Sequence, residues 1–259
     1  MTDTPPRAPA DEAFTFIGSQ AAALSGRLHR PAGKARGSVL LAHCFTCSKD
    51  IHTMSRLAKG LADAGYAAMR FDFTGIGESG GDFAEKTVSA NVSDLTRAAA
   101  SLITEGFGPC AMIGHSLGGA AAVLAAERLK TVRSLVTIGA PSDPTHVRHL
   151  FEEDLETMAA EGRACVTIAG RQFDLEHGFV EDLTNHNVLE AAEALDRPYL
   201  VIHAEDDDVV GVEHGEALFA AAKEPKRFER LESGGHMLGP RSAADAALRA
   251  IIGWFDETL

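Results

Sequence analysis

The chain has 259 residues, 45% of them hydrophobic, which is enough for one α/β domain with a continuous core. Its formal net charge is −13 at pH 7, with a computed isoelectric point near 5.3. This charge argues against a nucleic-acid partner, because phosphate backbones are bound by basic surfaces.

The N-terminal segment is rich in proline, alanine and charge, so residues 1–12 are expected to form a disordered lead-in. It lacks the basic start and long apolar run of a signal peptide, and no later window is apolar enough to span a membrane. We therefore expect a cytoplasmic protein without a membrane partner. After the lead-in, Phe14–Ile17 and Ala23–His29 are predicted to form an antiparallel hairpin.

Strands and helices alternate from residue 38 onward. Apolar runs predict buried strands at 38–42, 67–73, 110–113, 134–140, 199–204 and 227–231. Helices are predicted between and after them at 54–64, 89–105, 120–130, 214–222 and 243–257. This order predicts a mostly parallel sheet with helices on both faces, in a single domain over residues 13–259.

The regular alternation stops at the PSDP sequence of residues 141–144. Beyond it, the chain is predicted to be helical at 147–160, strand-like at 164–169 and helical at 187–195. We expect the segment from about 143 to 196 to form a small cap inserted over the sheet.

The hexapeptide GHSLGG, residues 114–119, lies between a predicted strand and a predicted helix. A GxSxG sequence in this position is typical of a sharp turn that holds a nucleophilic serine above the sheet. The N-terminal end of the following helix favours negative charge on an oxyanion. Ser116 is therefore the predicted nucleophile, and an ordinary glycine-rich turn is the alternative.

A serine hydroxyl needs a base and a carboxylate that orients the base. His236 follows the last predicted strand in a glycine-bounded loop, so it is the predicted base, with a solvent-exposed loop histidine as the alternative. Two positions are candidates for the carboxylate that orients His236, because acidic residues follow two of the other strands. These are the run 205–208, which includes Asp207, and the rival Asp143.

The oxyanion of an acyl transfer needs two hydrogen-bond donors. One is expected to be the backbone N–H of Leu117, the residue after the nucleophile. The second is expected from the loop HCFTCSKD, residues 43–50, where the turn points to the N–H of Phe45. His43 is interpreted as structural.

Together, GHSLGG, the glycine loop that begins at Asp72, Asp207-x-Val-Val after a strand and the late His236 resemble the α/β-hydrolase superfamily over about residues 37–259. The resemblance implies the α/β-hydrolase fold and a triad of Ser116, His236 and Asp207, with no cofactor or metal. The glycine loop is expected to shape the rim of the pocket.

Within that superfamily, HCFTCSKD, FDFTGIGESGG and VTIGAPSDPTHV look like the hydrolase half of bacterial proteins in which a hydrolase is fused to an OsmC-type domain. The OsmC half is not part of this sequence. Besides a small-molecule ester or thioester, the partner hypotheses are therefore a homodimer and a separate OsmC-type protein.

Cys44 and Cys47 form a CxxC pair within the predicted oxyanion loop. One interpretation is a redox pair whose oxidation would displace the Phe45 donor, and the other is small-residue packing of a tight loop. Four cysteines are too few for a secreted disulfide framework, so reduced thiols are expected, with Cys110 and Cys165 in the core.

The sequence thus predicts a serine hydrolase that cleaves small to medium acyl esters or thioesters through an acyl-enzyme. The presence of serine at position 116 argues against dehalogenases and epoxide hydrolases, which use aspartate there. Two alternatives remain open. The first is a redox-responsive or vestigial module beside an OsmC-type peroxide reductase, and the second is a cofactor-free perhydrolase.

Overall fold

The computed structural model describes residues 10–108 and 110–259. Its strands are β1 (Ala10–Ile17), β2 (Ala23–Arg30), β3 (Ser38–Ala42), β4 (Ala67–Phe71), β5 (Cys110–His115), β6 (Val132–Ile138), β7 (Arg163–Ile168), β8 (Arg171–Glu176), β9 (Tyr199–Ala204) and β10 (Lys226–Leu231). Its α-helices are α1 (His52–Asp63), α2 (Val88–Thr104), α3 (Leu117–Arg128), α4 (Leu155–Glu161), α5 (His177–Thr184), α6 (Val188–Ala194), α7 (Val212–Ala221) and α8 (Arg241–Thr258), and a 3₁₀ segment covers Pro144–Asp154.

Eight strands form the central sheet in the order β1-β2-β4-β3-β5-β6-β9-β10. The pairs β1–β2 and β2–β4 are antiparallel, and every later pair is parallel. The predicted mostly parallel sheet is confirmed. The chain order reverses between β3 and β5, and at such a point the loops beyond the carboxyl ends of the strands form a crevice.

The sheet is buried on both faces. Helices α1 and α8 pack on one face, whereas α2, α3 and α7 pack on the other. Residues 117–126 of α3 are all buried, because this helix also packs against α2 and α6. Its small side chains, mostly alanine and glycine, permit that close packing.

The antiparallel hairpin begins earlier than predicted. Residues 10–12, which the sequence analysis assigned to the lead-in, belong to β1. Cross-strand ion pairs accompany this pairing, with Arg27 Nε 3.0 Å from Asp11 and Arg30 Nε 2.8 Å from Glu12. Charge pairs of this kind give no apolar alternation, so the pattern did not indicate a strand. Residues 1–9 lie outside the described residues.

The segment after β6 contains more structure than predicted. After the 3₁₀ segment and α4, strands β7 and β8 form an antiparallel hairpin, and α5 follows it. Neither β8 nor α5 was predicted from the sequence. Helix α6 packs against α3 and α7, beside the main body of the sheet. Among the described residues, no helix is long and apolar enough to cross a membrane.

Candidate active site

Ser116 occupies a sharp turn between β5 and α3. Its backbone has φ 55° and ψ −132°, a conformation that L-residues rarely adopt outside strained functional positions. A side chain at Gly118 would collide with the carbonyl of His43, and one at Gly114 would collide with Gly119. The glycines of GHSLGG are therefore required by the close approach of backbone around the serine.

His236 and Asp207 form a direct pair. The His236 Nδ1 lies 2.9 Å and 3.1 Å from the two Asp207 carboxylate oxygens. Asp207 Oδ1 also accepts from the backbone N–H groups of Val209 (3.0 Å) and Val210 (2.9 Å). Burial alone would raise the pKa of Asp207, but hydrogen bonds from His203, His236 and Val210 overcome it and hold the pKa well below the ordinary value.

The rival acid Asp143 has a different role. Its carboxylate accepts from the N–H of Thr145 at 2.8 Å and caps the 3₁₀ segment. The carboxylate that contacts His236 belongs to Asp207.

In the loop after β3, a hydrogen bond to the Cys44–Phe45 peptide group fixes the direction of the Phe45 N–H. The His43 Nε2 accepts from the N–H of Phe73 at 3.3 Å, so the Nδ1 carries the proton and donates to the Cys44 carbonyl at 2.7 Å. Burial lowers the pKa of His43 to about 3, which keeps the ring neutral. Because the amide is planar, fixing the Cys44 carbonyl also fixes the direction of the Phe45 N–H.

Leu117 is the first residue of α3. The first N–H groups of a helix have no acceptor within the helix, so the Leu117 N–H is free of the helical ladder. The partial positive charge of that helix end adds to its electrostatic effect on an anion.

A cavity of about 580 Å³ opens over these groups, and both Ser116 and His236 line it. Among the described residues, Ser116 has no side-chain hydrogen bond to His236. Most of the other walls are apolar or backbone surfaces, and none is a lysine or arginine. The lining residues are Cys44, Phe45, Thr46, Cys47, Ser116, His146, Val147, His149, Leu150, Ile168, Ala169, Asp208, Val209, Val210, Gly234, Gly235, His236, Met237 and Gly239.

Cys44 and Cys47 are joined by a disulfide in the wall of this cavity. The expectation of reduced thiols is therefore wrong for this pair. A turn in which the Cys47 N–H donates to the Cys44 carbonyl brings their Cα atoms to 5.3 Å, within the range of a disulfide. Cys110 is buried as expected, but Cys165 is exposed, because it lies on the outer face of β7.

Comparisons with known proteins agree with this architecture. The family described as serine aminopeptidase S33 matches residues 33–161. The esterase domain of a Rhodothermus marinus protein is 34% identical, with a TM-score of 0.80 and coverage of 96% of this chain and 99% of that one. The chain belongs to the α/β-hydrolase superfamily. No curated protein sequence matches the chain.

Two more distant structures share the fold. Est1E from Butyrivibrio proteoclasticus, with ferulic acid bound, is 18% identical, with a TM-score of 0.78 and coverage of 94% and 98%. The mouse α/β hydrolase domain-containing protein 10 is 20% identical, with a TM-score of 0.76 and coverage of 95% and 99%. The predicted resemblance to the α/β-hydrolase superfamily is thus confirmed.

Two residues that the sequence analysis missed anchor the His236 loop of this hydrolase. Asp206, the neighbour of Asp207 in the acidic run 205–208, accepts from the Gly235 N–H at 2.8 Å. The buried His115 lies with its Nε2 2.7 Å from the His236 carbonyl. Burial lowers the pKa of His115 to about 3, so the neutral ring donates through Nε2. The spacing of these residues in the sequence gave no signal for either contact.

The glycine loop that begins at Asp72 does not line the cavity, contrary to expectation. Instead, the buried Asp72 accepts from both the backbone N–H (2.6 Å) and the Nζ (2.7 Å) of Lys49, at the end of the loop that carries Phe45. The Lys49 Nζ also contacts Glu78 at 2.7 Å. The carboxylate oxygens offset the cost of burying the Lys49 ammonium, and the network fixes the two loops to each other.

Proposed function

We propose that this protein is a serine hydrolase of carboxylic esters or thioesters. The observation that carries the proposal is the convergence of the strained Ser116 turn and the His236–Asp207 pair on one cavity. The relationship to an esterase domain from Rhodothermus marinus supports ester chemistry.

In the first half of the reaction, the Ser116 oxygen bonds to the carbonyl carbon and its proton passes to His236. The carbonyl oxygen becomes an oxyanion that accepts from the N–H groups of Phe45 and Leu117. Asp207 keeps the His236 ring oriented and stabilises the imidazolium. The carbon–oxygen or carbon–sulfur bond then breaks, and the alcohol or thiol leaves with the proton from His236.

In the second half, His236 takes a proton from water, and the water oxygen bonds to the acyl carbon. Breakage of the Ser116 ester releases the carboxylic acid and returns the proton to the serine. No step in this scheme needs a group beyond the chain's own residues and water.

The cavity defines the class of acyl group. Val147 and Leu150 of the 3₁₀ segment and Ile168 of β7 line it together with Val209 and Met237. A cavity of about 580 Å³ with such walls suits an uncharged acyl group of small to medium size. A carboxylate on the acyl group would find no lysine or arginine among these lining residues.

The test is covalent labelling with a fluorophosphonate, followed by intact-mass measurement, alongside hydrolysis of short and medium p-nitrophenyl esters. We expect one adduct and ester turnover in the wild type, and loss of both in Ser116→Ala. Ser101→Ala, on α2 and outside the cavity wall, serves as the matched control and should behave like the wild type. An adduct that persists in Ser116→Ala, or its absence from folded wild type, would contradict the proposal.

The disulfide favours one addition to this function, a response to redox conditions. Cys44 and Cys47 flank Phe45, whose N–H is the proposed oxyanion donor, so opening the disulfide would release one constraint on that loop. This direction is the reverse of the sequence-based hypothesis, in which oxidation displaces the Phe45 donor. This places a dithiol–disulfide change directly beside the proposed chemistry. A hydrolase controlled in this way would differ in turnover between its oxidised and reduced forms.

A further inference from the structure

Lys86 is a fully buried cation with an unusual environment. Only 1% of the residue is exposed, and among the described residues it has no ion-pair partner. Its Nζ donates to the Phe45 carbonyl at 2.8 Å. The rings of Phe45, Phe73 and Phe83 surround the Nζ, with centroids 5.3–5.4 Å away.

Such burial is unfavourable for folding. An ammonium without a carboxylate partner loses its hydration, and a methionine of similar length would fill the same space without that cost. Burial lowers the pKa of Lys86 to about 7, against the opposing charge of Asp94. Both the charged and the neutral amine carry N–H donors, so the bond to the Phe45 carbonyl is available in either form.

The position of that bond suggests what Lys86 does. The peptide before Phe45 is fixed by His43, which donates to the Cys44 carbonyl at 2.7 Å. The peptide after Phe45 is fixed by Lys86. Because a residue has only two soft backbone torsions, holding the planar peptides on both sides fixes the backbone of Phe45 between them.

We propose that Lys86 is a positioning residue of the oxyanion hole, which holds the Phe45 N–H toward the oxyanion through its hydrogen bond to the Phe45 carbonyl. The inference rests on the proposed function, since it concerns the oxyanion hole of the Ser116 site. Lys86 does not line the cavity, so it acts on the reaction only through Phe45. Lys86 therefore stabilises the transition state and does not contribute to substrate binding.

The test is Lys86→Met, which keeps the length of the side chain and removes the donor. We expect kcat to fall about 10-fold or more while KM stays within about twofold, since a misaligned oxyanion donor weakens only the transition state. An alkylboronic acid provides the second measurement. The Ser116 oxygen bonds to its boron, the proton passes to His236, and the tetrahedral adduct occupies the oxyanion hole. Its affinity should fall by about the same factor as kcat.

Lys226→Met is the matched control. Lys226 also donates to backbone carbonyls, those of Phe219 and Ala220, and its Nζ lies over the Phe219 ring at 4.6 Å. It begins β10 and lies outside the cavity wall, so the same substitution there should leave kcat and boronate affinity unchanged.

Lys86→Met with kcat and boronate affinity within twofold of the wild type would overturn the inference. A rise in KM alone would also overturn it, because that result would assign Lys86 to the acyl pocket. If Lys86→Met does not fold, Lys86→Gln carries the same test, with a shorter N–H donor and a smaller expected loss of kcat. Failure of both variants to fold would show that Lys86 serves the fold alone, which contradicts the inference.

Failure of the proposed function is distinguishable from failure of this inference. The first would appear as wild type without turnover and without a boronate adduct. The second would appear as an active wild type that Lys86→Met matches.

Discussion

Asp207→Asn tests the acid of the proposed triad with a minimal change of shape. In the wild type, Oδ1 accepts from the N–H groups of Val209 and Val210, while Oδ2 lies 2.9 Å from the His236 Nδ1. An asparagine must keep its oxygen toward the two N–H groups, which turns its NH₂ group toward His236. The Nδ1 must then accept a hydrogen bond, and the proton moves to Nε2, the nitrogen that should take the proton of Ser116.

The size of the effect follows from the charge that is lost. At a separation of about 3 Å and an effective dielectric constant of about 20, a carboxylate attracts an imidazolium by about 5 kcal/mol. At 1.36 kcal/mol per tenfold change in rate, this predicts a fall in kcat of about 10³- to 10⁴-fold. The Nε2–H tautomer of His236 would lower kcat further, so we expect a fall of about 10⁴-fold.

The assay is ester hydrolysis by Asp207→Asn under saturating substrate, with thermal unfolding as the check of folding. Asp143→Asn is the matched control, because it removes the charge of the rival acid and leaves an asparagine that can still cap the 3₁₀ segment. A folded Asp207→Asn with more than a tenth of wild-type kcat would show that the Asp207 charge does not act on His236 during the reaction. A large loss in Asp143→Asn instead would assign the acid role to Asp143.

Three other outcomes are expected. Ser116→Gly should exceed Ser116→Ala in free energy of unfolding by about 1 kcal/mol or more, since only glycine relaxes at φ 55°; equal urea-unfolding curves would contradict this. His43 and His115 stay neutral in the folded protein, with pKa values lowered to about 3 by burial, so their stabilising contribution is complete above pH 6.5 and is lost as the pH falls toward 3. Urea unfolding should therefore give a free energy lower by about 2 kcal/mol per histidine at pH 5 than at pH 7, and a pH-independent value would be inconsistent with buried neutral rings. Reduction of the Cys44–Cys47 disulfide should lower turnover several-fold, measured on one preparation before and after a dithiol, whereas unchanged turnover would remove the redox hypothesis.

The interior of the sheet was predictable from sequence because its central parallel strands are buried on both faces. Strands β3, β5 and β9 consist entirely of buried residues, and such strands appear as short apolar runs. The turn at Ser116 was predictable for a related reason. Backbone that approaches this closely requires glycine at fixed positions around the serine, and those glycines are visible in the sequence.

In the segment after β6, strand β8 was harder to predict than β7 because most of its residues are exposed and polar. In β8 only Leu175 is fully buried, and the remaining positions are charged, polar or partly exposed. Polar and charged residues give no apolar pattern, and the charged residues Asp11 and Glu12 hid the start of β1 for the same reason. Secondary structure that is stabilised by tertiary contacts leaves a weak local signal.

The contacts of the loop at residues 43–50 show which kind of residue cannot be predicted from the sequence. Lys86 lies 41 positions from Phe45, in a polar stretch where lysine is ordinarily solvated. Only the fold brings its amine to the Phe45 carbonyl and surrounds it with three phenylalanine rings. Motifs identify the groups that perform chemistry, since chemistry limits the residue types. The groups that position them can come from any element that reaches the loop, and so their identity depends on packing rather than on local pattern.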